Sequence, residues 1–108
     1  MAPNNNLPWS SCEFRFAPDH PTGAGHFPSN PIIPGALLLA QVLSAIDLNC
    51  TLAVRREIRH VKFLKPVRPG DQCIIRWRRL PGGEQQFEIR LLGLDDPVLV
   101  GSMRAITA

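Results

Sequence analysis

Gly35-Ala36-Leu37-Leu38-Leu39-Ala40-Gln41-Val42-Leu43-Ser44-Ala45-Ile46-Asp47 is the stretch on which the fold turns. Leu38, Leu39, Val42, Leu43 and Ile46 recur at helical spacing, while Ala36, Leu37, Ala40 and Ala45 fill most of the remaining faces. The spacing predicts a helix from Gly35 to about Asp47, and a helix apolar nearly all round has to be buried nearly all round. Everything downstream reads as strand. Arg55–Leu64, Asp71–Leu80, Gln85–Leu94 and Val98–Thr107 are parted by Lys65-Pro66 through Pro69-Gly70, by Pro81-Gly82-Gly83 and by Asp95-Asp96-Pro97. Alternation is visible in Cys73/Ile75/Trp77 and in Phe87/Ile89/Leu91, the latter set broken by Glu88 and Arg90, as in a sheet with one covered face.

Upstream of the helix, Glu13–Ala17 alternates charged and aromatic residues, with Phe14 and Phe16 on one face of a short strand. Pro18–Pro34 is irregular, and Pro28, Pro31 and Pro34 stiffen its end into an extended path. Loops of that length inside a small domain are usually functional. Residues 1–11 are polar and proline-containing and read as a flexible leader, leaving residues 12–108 as a single domain. One buried helix and about five strands predict an α+β fold, an antiparallel sheet wrapped around a central helix, with the later strands in meander order. So small a sheet leaves one side of the helix uncovered, so a dimer is expected.

Composition excludes several classes of protein. Apolar residues make up 44% and charged residues 19% of the 108, an ordinary globular balance. The net charge of +3 is far from the dense basic stripes of a nucleic-acid binder. No apolar run approaches membrane-spanning length, and no secretory signal is apparent, so the cytoplasm is the expected location. Cys12, Cys50 and Cys73 are odd in number and far apart, which indicates neither a disulfide framework nor a metal knuckle. His20, His26 and His60 have no ligand-like spacing, so no metal or other cofactor is expected.

Two segments carry more than fold. Gly25-His26-Phe27-Pro28-Ser29-Asn30-Pro31-Ile32-Ile33-Pro34-Gly35 runs straight into the apolar helix, and Lys62-Phe63-Leu64-Lys65-Pro66-Val67-Arg68-Pro69-Gly70-Asp71-Gln72 follows it. Both resemble segments of the β-hydroxyacyl-acyl-carrier-protein dehydratases of bacterial fatty-acid synthesis, in the same order and at similar separation. Relatives acting in hydroxymyristoyl and aryl-polyene pathways are similar too. The resemblance implies a hotdog fold, a dimer with two sites at its interface, and a substrate held as a thioester on a carrier protein or coenzyme A.

Dehydration of such a thioester removes a proton beside the carbonyl and expels the β-hydroxyl as water. It needs a base, an acid near the hydroxyl, and a donor to the carbonyl oxygen. The resemblance assigns the base to His26, whose imidazole has a suitable pKa. It assigns the donor to the backbone N–H of Gly35, where free amides and the helix dipole favour negative charge. Gly35 is also the helix start after Pro34. The family's acid, a Glu or Asp fourteen positions after the histidine on the partner's helix, falls here on Ala40. Ser44 stands one turn on, where relatives often carry Gln, and Thr22, Gly23 and Ala24 replace the aromatic residues that commonly precede the histidine.

Gln41 and Ser44 are the nearest substitutes, but Gln41 lies about 100° around the helix, and Ser44 can at best orient a water. Asp47 shares a similar face about 10 Å further along. His20 reads as a loop residue, His60 as an exposed strand residue, and Asp71 and Gln72 as organisers of a turn. Arg55, Arg56, Arg59, Lys62, Lys65 and Arg68, followed by Arg76, Arg78 and Arg79, suit an acidic carrier protein, or simply a solvated face. Three functions follow: a dehydratase with an atypical site, a hotdog thioesterase, and a non-catalytic acyl-binding subunit that lends His26 to a paralogue supplying the acid.

Overall fold

The computed structural model describes residues 8–19, 32–48 and 55–106. Its elements are β1 (Ser10–Arg15), α1 (Gly35–Leu48), β2 (Arg55–Phe63), β3 (Gln72–Arg79), β4 (Glu84–Leu91) and β5 (Pro97–Ile106). All strand pairs are antiparallel, and the sheet runs β1-β3-β4-β5-β2.

Strands β3 to β5 form a meander because their connections are short and rich in turn residues. Gly82 and Gly83 hold φ of 86° and 87°, a region closed to most side chains, and the Leu80 N–H bonds to the Glu84 carbonyl at 2.6 Å. Strand β2 departs from the expected meander. It pairs with β5, not with the β3 that follows it, and forms an edge. The eight residues 64–71 between them include Pro66 and Pro69 and are too long and stiff for a tight hairpin. They cross one end of the sheet instead.

Two further boundaries differ from the sequence reading. Ser10 and Ser11, placed with the leader, are the first rungs of β1, opposite Trp77 and Arg76. Their pairing is made by backbone, so hydrophobic alternation gave no sign of it. At the other end of the sheet, β4 stops at Leu91, and Leu92 and Leu94 are exposed in a turn around Gly93. Here the Leu94 N–H bonds to the Leu91 carbonyl at 3.0 Å, and Gly93 has φ of 83°.

The core lies between α1 and one sheet face. Leu38, Val42, Ala45 and Ile46 project from the helix, and Cys73, Ile75, Trp77, Phe87, Ile89, Leu99 and Met103 project from the strands. Cross-strand register explains the layering: Ile75 faces Ile89, which faces Leu99, and Trp77 faces Phe87. Each fully buried aliphatic or Phe side chain contributes about 1.5–3 kcal/mol of transfer free energy. The helix is therefore not buried all round within one chain. Ala36, Ala40, Ser44 and Asp47 are exposed, because one five-stranded sheet covers only one of its sides.

On the opposite sheet face, polar and charged side chains pair across strands and, for Glu88 and Arg90, along β4. Glu88 takes Arg76 at 3.0 Å and Arg90 at 3.2 Å, Arg78 donates to Gln86 at 2.9 Å, and Arg104 meets Glu57 at 3.2 Å. Trp9 packs on this face with its ring centroid 4.5 Å from the Arg76 guanidinium and 4.4 Å from that of Arg78.

Candidate active site

The start of α1 is built from backbone. The Pro34 carbonyl accepts from the Leu37 N–H at 3.0 Å and from the Leu38 N–H at 3.3 Å, which makes Pro34 the N-cap and Gly35 the first helical residue. The amides of Gly35 and Ala36 have no acceptor within the helix. No acidic side chain stands in the first turn, so the positive end of the helix dipole is not neutralised by its own sequence. A carbonyl gaining negative charge is stabilised at such a place.

The crossing segment after β2 closes over this point. The Ile33 N–H bonds to the Val67 carbonyl at 2.7 Å, and the Gly70 N–H bonds to the Phe16 carbonyl at 2.9 Å. The described end of the first segment that the sequence singled out, residues 32–35, is thus laid beside the second. Between them lies a pocket of about 490 Å³, lined by Ile32, Ile33, Gly35, Ala36, Leu38, Phe63, Leu64, Lys65, Pro66 and Val67. Its wall is apolar except for Lys65, which pairs with Asp96 at 3.1 Å. The Phe63 ring lies against Gly35, with Cε1 only 2.7 Å from where a Cβ on residue 35 would stand. Sequence reasoning took Phe63 only as part of a motif; nothing in composition or spacing marks it as a pocket residue.

The other site residues are placed as follows. His26 lies outside the described residues, as do His20, residues 22–24, Ser29, Asn30 and Cys50. Ala40 and Ser44 sit on the exposed helix face, and Gln41 is half-buried on the adjoining one. Asp47 is ion-paired with Arg56, which reaches it from β2 with its own side chain only 11% exposed. That contact makes Asp47 a tie between helix and sheet. His60 is exposed on β2, with Nδ1 3.1 Å from the buried Ser102 hydroxyl, a contact without sequence signal.

The basic residues do not form one surface. Arg55, Arg59 and Lys62 are exposed on the edge strand β2, Arg56 is held by Asp47, and Lys65 by Asp96. The Arg68 backbone N–H bonds to Asp71 at 2.9 Å in the turn before β3. Arg76, Arg78 and Arg79 are on β3, separated from β2 by the two strands β4 and β5. Two thiols lie among the described residues. Cys73 is buried, and burial, with the Asp71 charge adding to it, pushes its pKa up to about 11; burial also raises that of Cys12. Among the described residues, no three His, Cys, Asp or Glu side chains are grouped to hold a metal.

Among the described residues, one helix held in a five-stranded antiparallel sheet, with a largely apolar pocket at its N-terminus, makes a hotdog domain. Residues 4–96 match the model of the ApeI-like family, described as ApeI dehydratase, and the chain belongs to that family. A 3-hydroxyacyl-[acyl-carrier-protein] dehydratase FabZ from Bartonella bacilliformis is 43% identical over 81 residues, 67% of this chain and 51% of the relative. The chain thus spans about half the length of the curated relatives it matches. A chain of the dehydratase heterocomplex ApeI:P from Xenorhabdus doucetiae superposes with a TM-score of 0.72 at 19% identity, covering 95% of this chain and 91% of that one. Thioesterase superfamily member 2 from Mus musculus superposes at 0.65 with 15% identity, covering 96% and 80%. At such identities these two likenesses concern the fold. Among the described residues, no helix is long and apolar enough to cross a membrane.

Proposed function

We propose that this chain is one half of a cytoplasmic 3-hydroxyacyl-thioester dehydratase, contributing His26 as base and the Gly35 amide as donor to the thioester carbonyl, and relying on a second hotdog subunit for the acid. The observation that carries the reading is the pairing of an intact helix N-terminus at an apolar pocket with Ala40 on the helix face that the chain's own sheet leaves open. Acceptance of negative charge needs only the first turn of α1, which is present. Protonation of the departing hydroxyl needs a side chain that Ala40 does not have. A mixed dimer with a paralogue bearing a carboxylate at the matching position supplies it. A homodimer lacks it at both sites. A thioesterase of this fold also draws on the helix carboxylate, so Ala40 counts equally against that reading.

The substrate is an acyl thioester, and a carrier protein is the preferred bearer, since the exposed Arg55, Arg59 and Lys62 on β2 suit an acidic partner. The test is the rate of dehydration of 3-hydroxyoctanoyl thioester by the purified chain, alone and with Ala40→Glu. An acid supplies about 10²–10⁴ in rate. The wild-type homodimer is expected to be slow, and Ala40→Glu to gain a substantial part of that factor, with the gain lost again in His26→Ala. A fast wild type that stays fast as His26→Ala refutes the assignment.

A further inference from the structure

Phe63 is a large apolar side chain that the core does not use. It ends β2 in the core-facing row opposite Leu99, yet it is 54% exposed. Its backbone is fixed from behind, since the next residue, Leu64, donates its N–H to the Val98 carbonyl at 2.8 Å, and Lys65 donates to the same oxygen at 3.3 Å. The point from which the ring projects is therefore set. Its Cε1, Cζ and Cδ1 come within 2.7, 3.0 and 3.1 Å of the Cβ position of Gly35, and it forms one wall of the apolar pocket with Leu38 and Val67.

We infer that Phe63 is the specificity-determining residue of this pocket, selecting acyl chains that are unbranched at the carbon next to the thioester carbonyl. The inference rests on the dehydratase reading only for the place of the carbonyl. An oxygen accepting from the Gly35 amide brings its first acyl carbons within a few ångströms of that residue, a hydrogen bond being about 2.9 Å long. The flank of Gly35 on that side is filled by the ring, so a methyl at the α-carbon meets aromatic carbon. Chain beyond that point passes into the wall formed by Ile32, Leu38 and Val67, which discriminates weakly. One misplaced methyl in an apolar site is worth about 10-fold or more in discrimination.

The experiment measures binding, by calorimetry, of S-octanoyl- and S-(2-methyloctanoyl)-N-acetylcysteamine to the full chain and to its Phe63→Ala and Phe63→Leu variants. Neither probe has a β-hydroxyl, so neither is dehydrated. The wild type is expected to favour the straight chain about 10-fold, Phe63→Leu to narrow the ratio, and Phe63→Ala to bring it below two-fold. Because the side chain is half-exposed, both variants are expected to fold, and their melting curves check this. A ratio unchanged in folded Phe63→Ala overturns the inference, as does a wild type that binds neither probe. The dehydration assay on 3-hydroxyoctanoyl thioester, run in parallel, keeps the two readings apart. A shifted ratio without dehydration even in Ala40→Glu supports the Phe63 wall and sinks the dehydratase reading. Dehydration with an unmoved ratio does the reverse.

Discussion

Gly101→Ala tests the packing that sets the sheet's geometry. Gly101 stands in the middle of β5 between Val61 of β2 and Phe87 of β4. A Cβ there meets the His60 carbonyl oxygen at 2.6 Å and the Phe87 ring at 2.6 and 2.7 Å. One obstacle is backbone, held beside the register shift between Ile58 and His60, and the other is a ring only 1% exposed, so neither yields freely. On strand propensity alone, alanine in place of glycine gains about 0.5–1 kcal/mol. Overpacking costs about 1–3 kcal/mol, and two stiff obstacles place this site at the upper end. The net is a loss of about 2 kcal/mol, which in a domain of this size lowers Tm by about 8–10 °C. Thermal melting followed by circular dichroism measures it. Adding Phe87→Leu removes one obstacle, and the double mutant should show coupling of at least ~0.5 kcal/mol. A Tm that holds or rises in Gly101→Ala refutes this account of the β2–β5–β4 packing.

Two further outcomes follow from the titratable groups and from the edge strand. With the Cys73 pKa raised from an ordinary 9.0 to about 11, the folded state holds a proton that the unfolded chain releases, so stability attributable to this thiol is full below pH 9 and is lost as pH rises toward 11; Cys73→Ala should flatten that part of a stability-against-pH curve, and an equally steep curve in the variant sinks the attribution. Charge reversal at Arg59 and Lys62 should remove most of the salt-sensitive part of binding to an acidic carrier protein, measured between low and physiological salt, whereas reversal at Arg78, which is engaged by Gln86 and Trp9 on another part of the sheet, should leave it in place.

Much of the fold was legible because it depends on local pattern. The apolar run from Gly35 gives a helix ending at Leu48, one residue beyond the expected Asp47, and Pro81-Gly82-Gly83 gives the β3–β4 turn where expected. What stayed illegible depends on backbone pairing between distant segments. Nothing in Arg55–Phe63 says that its partner is β5, because an edge strand rich in charge carries no strong alternation. For the same reason the basic residues, adjacent in sequence, could not be seen to divide between two parts of the sheet. Of the site, the place of Gly35 at the helix start followed from the apolar run after Pro34, whereas the meeting of the two motif segments did not, since chain order alone does not bring Val67 to Ile33. The Phe63 ring against Gly35 is a consequence of where β2 ends, which no spacing rule fixes.

The helix also explains how chemistry and fold can change independently in this chain. At about 100° per residue, Leu38, Val42, Ala45 and Ile46 point to the sheet, while Ala36, Ala40 and Ser44, each four apart, share the face turned from it. Replacement at position 40 therefore leaves the sheet-facing core untouched, and the single chain's stability does not constrain which residue stands there. The first turn is different. Gly35 cannot gain a side chain without displacing Phe63, and the Ile33–Val67 bond ties the same turn to the crossing segment, so this half of the site is held by packing whether or not a reaction uses it. A chain that has Ala40 and still has Gly35 is thus what the physics permits in either of two histories: a site completed by another subunit's carboxylate, or a pocket that only binds. The two part at one measurement, because only the first gains rate when a carboxylate is offered at position 40 or by a partner, and the second binds thioesters equally well with or without it.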